Sequence, residues 1–153
     1  MGSLTGQVAL VTGASRGIGK RIALALGEAG ATVYITGRTV KEGAIFDLPG
    51  TIHQTVHEVE QLGGTCIAIR CDHTDDGQVK AVFEQIGSEE GRLDILVNNV
   101  WGGYEHFYDG TEFWLEKGFW SAPFSRWDKM FQAGVRAHYV CSALAAPMMI
   151  ALL

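Results

Sequence analysis

The sequence predicts an α/β protein built on a doubly wound parallel sheet, and three features predict it. Four short runs rich in apolar and β-branched residues recur along the chain, three of them closed by Gly or Asn. Stretches with apolar residues at helical spacing separate these runs, and such alternation implies βαβ units with right-handed crossovers. A glycine-rich turn joins the first run to the first helical stretch. The runs are almost continuously apolar, as strands are when both faces of a parallel sheet are covered.

The first strand is Gln7–Thr12, ended by Gly13. From Gly17 to Ala29 the period changes: Ile18, Ile22, Leu26 and Ala29 fall on one helical face, and Gly30 sits where a helix-terminating glycine belongs. Ala31–Thr36 is the second strand, stopped by Gly37. Arg38–Gly50, with Pro49 and two glycines, reads as loop. Ile52–Leu62 carries Ile52, Val56 and Val59 on one side and ends at Gly63-Gly64, which predicts a helix. Thr65–Cys71 is the third strand. Asp75-Asp76-Gly77-Gln78 has the spacing of a capping box, with Asp75 as N-cap, before Val79, Val82, Phe83 and Ile86. Leu93–Val97 is the fourth strand, ending at Asn98-Asn99. After an aromatic-rich stretch to about Phe124, Ser125-Arg126-Trp127-Asp128 predicts a second capping box and a long helix, kinked or ended at Pro147.

A chain of 153 residues is enough for one domain with a real core, expected to span 1–153. Twelve Lys+Arg against 17 Asp+Glu give a net charge of −5, which argues against nucleic acid as a partner. Three cysteines without C-x-x-C spacing suit a reducing compartment better than a disulfide framework. The N-terminus lacks the pattern of a secretion signal, and the apolar run Val140–Leu153 is too short for a membrane span. A cytoplasmic location is the expectation. Glycine, at 20 residues, is nearly twice its usual share of ~7%, so some backbone must turn tightly or lie close to something.

Thr12-Gly13-Ala14-Ser15-Arg16-Gly17-Ile18-Gly19 supplies such a place. A helix N-terminus presents unpaired N–H groups and partial positive charge, and glycines let phosphates approach the backbone. That is the chemistry of a pyrophosphate site. The spacing T-G-x-x-x-G-x-G resembles the short-chain dehydrogenase/reductase family. Asp72 after the third strand, Asn98-Asn99-Val100-Trp101-Gly102 after the fourth (a variant of N-N-A-G), and the helix from Trp127-Asp128 through Val135 line up in the family's order. Within it, F-W-x-x-P-x-x-W-D at Phe119–Asp128 and H-Y-x-C-S at His138–Ser142 look most like the dehydrogenase/reductase member-one subgroup.

The resemblance implies a Rossmann-like sheet of order 3-2-1-4 and a nicotinamide dinucleotide held by Thr12, Gly13, Ser15, Arg16, Gly17, Ile18 and Gly19 at the pyrophosphate. It implies Asp72 and His73 near the adenine, and Asn98, Asn99, Val100 and Gly102 on the ribose side. Where NAD-selecting sites place a carboxylate at the end of strand two, this chain has Gly37 followed by Arg38. A guanidinium binds a 2′-phosphate that a carboxylate would repel, and Arg16 adds a second cation. NADP(H) over NAD(H) is therefore expected. The implied reaction is hydride transfer to or from a carbonyl or alcohol.

Two departures bear on turnover. The family's Ser and Y-x-x-x-K find no match, because Tyr34, Tyr104, Tyr108 and Tyr139 all lack a Lys four residues on, and the chain stops where strand five would follow. The family's catalytic Asn aligns with Gly134. A catalytically silent nucleotide-binding or interaction protein is the alternative, while Gly37-Arg38 disfavours a methyltransferase. Eleven of the 15 aromatic residues fall between Trp101 and Phe131. They either wall a site for a small apolar substrate or pack on the sheet and long helix. His53 and His57 lie one turn apart, but Gln54 stands where a metalloprotease helix needs Glu, so no metal site is read. An unpaired edge at Leu93–Val97 predicts homo-oligomers.

Overall fold

A computed structural model describes residues 2–43, 48–103 and 118–151. Four parallel strands, β1 (Val8–Val11), β2 (Thr32–Gly37), β3 (Thr65–Arg70) and β4 (Ile95–Val97), form a sheet of order β3-β2-β1-β4. The expected topology is observed. Crossing between the strands are α1 (Gly17–Glu28), α2 (Ile52–Gln61) and α3 (Asp76–Glu90). After a short 3-10 turn at Phe119–Ser121 come α4 (Phe124–Phe131), a π turn at Gln132–Arg136 and α5 (Ala137–Ile150).

Strand alternation divides the core between the two faces. Val8, Leu10 and Tyr34 point to one side, where Val79, Val82, Phe83 and Ile86 of α3 and Cys141 and Ala145 of α5 cover them. Ala9, Val11, Val33 and Ile35 point to the other, against Ala23 of α1 and Ile52 and Val59 of α2. Buried strands with apolar residues on both faces are what a doubly wound sheet requires.

Helix starts and stops follow side-chain chemistry. Asp75 caps α3 as expected, its Oδ1 accepting from the Gly77 and Gln78 amides. Gln78 does not reach back to the Asp75 amide, which donates to the Asp72 carbonyl. Its Oε1 accepts from the Asp72 amide instead, at 2.9 Å. Gly91 ends α3 in the left-handed region. Thr51 caps α2 by accepting from the Gln54 amide, which the sequence reading missed.

Three boundaries differ from expectation by more than one residue. The fourth strand is shorter, Ile95–Val97 rather than Leu93–Val97. There the Asp94 amide still donates to the Val8 carbonyl, but the Val8 amide is taken by the Asp94 carboxylate rather than by a strand carbonyl. Ser125 is not a cap: Pro123 holds the N-cap position with φ near −64°, and the helix is under way at Phe124. Pro147 does not end α5, which runs on to Ile150 with the Ala151 amide donating to the Pro147 carbonyl.

Candidate functional site

The carboxyl ends of β1, β2, β3 and β4 open into one cleft of about 250 Å³. Its walls include Gly13, Ser15, Arg16, Gly17, Ile18 and Gly19 from the turn after β1, and Arg38, Asp72 and His73 from beyond β2 and β3. Asn99, Val100 and Gly102 come from beyond β4. Most of the residues singled out in the sequence are thus brought together. This is where ligands sit in open α/β sheets.

The glycine turn is locked against the segment after β4. The Thr12 hydroxyl accepts from the Asn99 and Val100 amides at 2.9 and 3.1 Å. Asn99 Nδ2 donates to the Thr12 and Gly13 carbonyls at 2.9 and 2.8 Å. There is no room for side chains here. A Cβ on Gly19 would lie 2.3 Å from Asn99 Nδ2 and 2.6 Å from the Gly13 oxygen. Gly17, at φ +59°, faces open space. Its helix, α1, starts without a side-chain cap and without an acid in its first turn. Its leading amides are therefore turned to the cleft with no internal anion to satisfy them.

The cationic corner is preorganised. Arg16 donates to the Thr39 hydroxyl at 2.9 Å and to the Gly50 carbonyl at 3.2 Å. The parallel register sets Gly37 beside Arg70, which brings the residues that follow each strand together. Arg38 Nη1 lies 3.8 Å from Asp72 Oδ2. Partial burial works to raise the Asp72 pKa, but hydrogen bonds from the Thr74 amide and hydroxyl, with Arg38 nearby, hold it below the ordinary value.

Thr12 and Asn98 stand apart from the cleft wall. Thr12 is fully buried, and Asn98 Nδ2 donates to Ser142 Oγ of α5 at 3.0 Å. His73 lines the cleft but turns its ring inward, 3% exposed, with Nε2 2.7 Å from Thr36 Oγ1. Gly37, Thr39, Cys71, Trp101 and Ala133 also line the cleft. Thr39, Cys71 and Ala133 carried no sequence signal beyond their place at strand or helix ends. Gly102 passes so close to the π turn that a Cβ would lie 2.3 Å from that of Ala133. Gly134 sits in the same turn, and a Cβ there would meet only Trp101 Cδ1, at 3.9 Å. Of the aromatic stretch, Tyr104–Lys117 falls outside the described residues. Trp101 reaches the cleft, whereas Trp127 and Phe131 stack on each other at 3.7 Å and stay exposed. Among the described residues no cluster of His, Cys, Asp and Glu is fit to hold a metal, and no helix is long and apolar enough to cross a membrane.

Comparison with known proteins matches this geometry. The family model for short chain dehydrogenase matches residues 7–152. The chain is 45% identical over 148 residues to dehydrogenase/reductase SDR family member 1 of Mus musculus, covering 96% of this chain and 43% of that protein. It is 32% identical to 7alpha-hydroxysteroid dehydrogenase of Escherichia coli K12, covering 95% of this chain and 49% of the relative. The chain thus spans less than half the length of these curated relatives. Among solved structures, a metagenomic short-chain oxidoreductase in complex with NADP superposes with a TM-score of 0.75 at 31% identity, covering 98% of this chain and 59% of that one. A 7 alpha-hydroxysteroid dehydrogenase complexed with NADH and 7-oxo glycochenodeoxycholic acid superposes with a TM-score of 0.73 at 32% identity, covering 95% and 49%.

Proposed function

The chain belongs to the short chain dehydrogenase family, and from that premise we propose that it binds NADP(H) in the cleft above β1, β2 and β4. The activity it serves is hydride exchange between that cofactor and a small apolar carbonyl or alcohol. One observation carries the cofactor reading: an uncapped, acid-free α1 N-terminus faces a cleft whose far corner holds Arg16 and Arg38. The residues present fit a phosphorylated dinucleotide. Gly17 and Gly19 leave the backbone bare for a pyrophosphate, and the α1 amides donate to it. Arg38 and Arg16 lie where a 2′-phosphate would be met, with no carboxylate at Gly37 to repel it. Asp72 offers acceptors to the adenine, and Asn99, Val100 and Gly102 border the ribose side.

The relatives divide, one solved with NADP and another with NADH, so Gly37-Arg38 supplies the reason for preferring the phosphorylated form. When bound, the reduced cofactor supplies hydride. The protein's own residues hold it in place, and Trp101 with Ala133 borders the open side of the cleft for an apolar substrate. The three free thiols, all buried, suit a reducing compartment, here placed in the cytoplasm. β4 hydrogen-bonds only to β1 among the described residues.

A second reading rests on the sequence around the chemistry. No Tyr among these 153 residues is followed four residues on by Lys, and Gly134 brings no side chain to hold a water or pass a proton. On this reading these residues supply dinucleotide binding alone.

One experiment separates the readings. NADPH should raise the melting temperature more than NADH at equal concentration, saturation at 100 times Kd being worth about 2.7 kcal/mol. Arg38→Asp should shrink or reverse the difference, and equal shifts for both cofactors would remove the selectivity reading. NADPH consumption with a panel of apolar ketones, quinones and aldehydes then tells an enzyme from a silent binder.

A further inference from the structure

The glycine turn is held not only from the cleft side but also from behind. Gly13 opens the turn at φ +70° with its amide donating to Thr36 Oγ1 at 3.4 Å. The adjacent Ala14 amide donates to the Thr36 carbonyl at 2.9 Å. Thr36, the penultimate residue of β2, is fully buried, so its hydroxyl is shielded from bulk solvent. What orients it is His73 Nε2, 2.7 Å away. The other ring nitrogen, Nδ1, lies 3.4 Å from Cys141 Sγ of α5.

We propose that His73 is a positioning residue for the pyrophosphate turn: through the Thr36 hydroxyl it fixes the backbone of Gly13, and it does so without touching the ligand. The proposal rests on the reading of Gly13–Gly19 as the phosphate cradle. Both neutral tautomers of the ring close the chain of bonds. With hydrogen on Nε2, the ring donates to Thr36 and Nδ1 receives the Cys141 thiol. With hydrogen on Nδ1, the Thr36 hydroxyl donates to Nε2. Either way one oxygen lone pair stays aimed at the Gly13 amide.

Gly13 has little slack with which to tolerate a loss of that bond. A Cβ placed on it would lie 2.8 Å from Val100 Cα and 3.3 Å from Asn99 Nδ2. Any shift of Gly13 is thus passed to the segment after β4, which forms the opposite wall. Cys141 anchors the ring to α5, so helix, histidine, strand end and turn form one contiguous set of contacts.

The alternative role for His73 is direct contact with adenine, and two ligands distinguish the roles. Adenosine 2′-monophosphate carries the adenine and the 2′-phosphate but no pyrophosphate. Calorimetry at neutral pH should show His73→Leu and Thr36→Val each weakening NADPH about tenfold, the loss of one oriented hydrogen bond. Binding of adenosine 2′-monophosphate should stay within about twofold. The double variant should be no weaker than either single one, because both cut the same link. His73→Gln, which keeps a polar group near the Nε2 position, should recover most of the affinity.

Equal weakening of both ligands by His73→Leu would overturn the proposal in favour of adenine contact. Additive losses in the double variant would overturn the route through Thr36. If His73→Leu does not fold, Thr36→Val is nearly isosteric and carries the ligand comparison alone. Failure of the wild-type chain to bind either ligand would instead overturn the reading of the cleft, and this proposal with it.

Discussion

His73 also gives the chain a distinctive sensitivity to mild acid. Burial pushes its imidazole down from 6.5 to about 4, with the Asp72 carboxylate pulling it back up and His138 pushing it further down. Cys71 and Cys141 are the other titratable groups packed near it, and burial holds both thiols neutral, the former pushed up to about 12. The folded chain therefore takes up the His73 proton less readily than the unfolded chain. Stability is fully present above pH 6.5 and is lost as the pH falls toward 4. The whole gap is worth about 3 kcal/mol, and about 2 kcal/mol of it is gone near pH 5. For a chain of this length that is a fall of about 4–8 °C in melting temperature. Asp72, Asp75, Asp76 and Asp94 are held below their ordinary 3.8, so their losses come at lower pH and leave this window to His73. Thermal melts from neutral pH to about pH 5 should show that fall in the wild type and a nearly flat line in His73→Gln. Parallel curves for the two proteins would refute a buried neutral ring.

Other substitutions test the close approaches at the cleft. Gly19→Ala places a methyl against Asn99 Nδ2 and the Gly13 oxygen. It should break both Asn99 bonds and cost about 3 kcal/mol in urea unfolding, together with dinucleotide binding. Gly37→Asp should shift preference toward NADH, but its Cβ would sit 2.7 Å from Cγ2 of the fully buried Ile52. A cost of about 1–3 kcal/mol should therefore appear in the melting temperature without ligand. Gly134→Ala has room beside Trp101 and removes a helix-interior glycine, so it should stabilise by about 0.5–1 kcal/mol. A loss of stability would contradict the open space there.

The sheet was legible because its signals are local and periodic. Unbroken apolar and β-branched runs at β1 and β2, helical spacing in α1 to α3, and a glycine turn at the first crossover each announce themselves within a dozen residues. Side-chain direction was less legible. Asn98-Asn99 reads as one motif, yet strand alternation carries past Val97 and sends the two to opposite sides, Asn99 into the cleft and Asn98 toward Ser142. Thr36, His73 and Cys141 are far apart in sequence, and only the β2–β3 register and the packing of α5 bring them together. A histidine beside Asp72 reads as a ligand contact, and nothing in the sequence signals the buried Thr36 hydroxyl that its ring also meets. Pro147 shows a propensity overridden: its neighbours Ala145 and Cys141 are buried, and their packing keeps the helix going past it.

The Arg38–Asp72 pair bears on the proposed preference for NADP(H). Taken separately, Arg38 is a cation for a phosphate and Asp72 an acceptor for adenine, but the register sets them side by side. Without ligand, Asp72 offsets part of the charge that would attract a 2′-phosphate. The cost of parting them is small, because a partly exposed ion pair is worth at most about 1 kcal/mol. A phosphate offers the guanidinium two oxygens with better geometry. Releasing Asp72 then leaves its carboxylate free to accept from adenine. Arg16, tied to Thr39 and the Gly50 carbonyl, does not have to move. If the cleft takes NADP(H) as proposed, selectivity in this corner arises from one exchange of partners beside a cation tied to Thr39 and the Gly50 carbonyl, and the ion pair that opposes a phosphate also keeps Arg38 over the cleft.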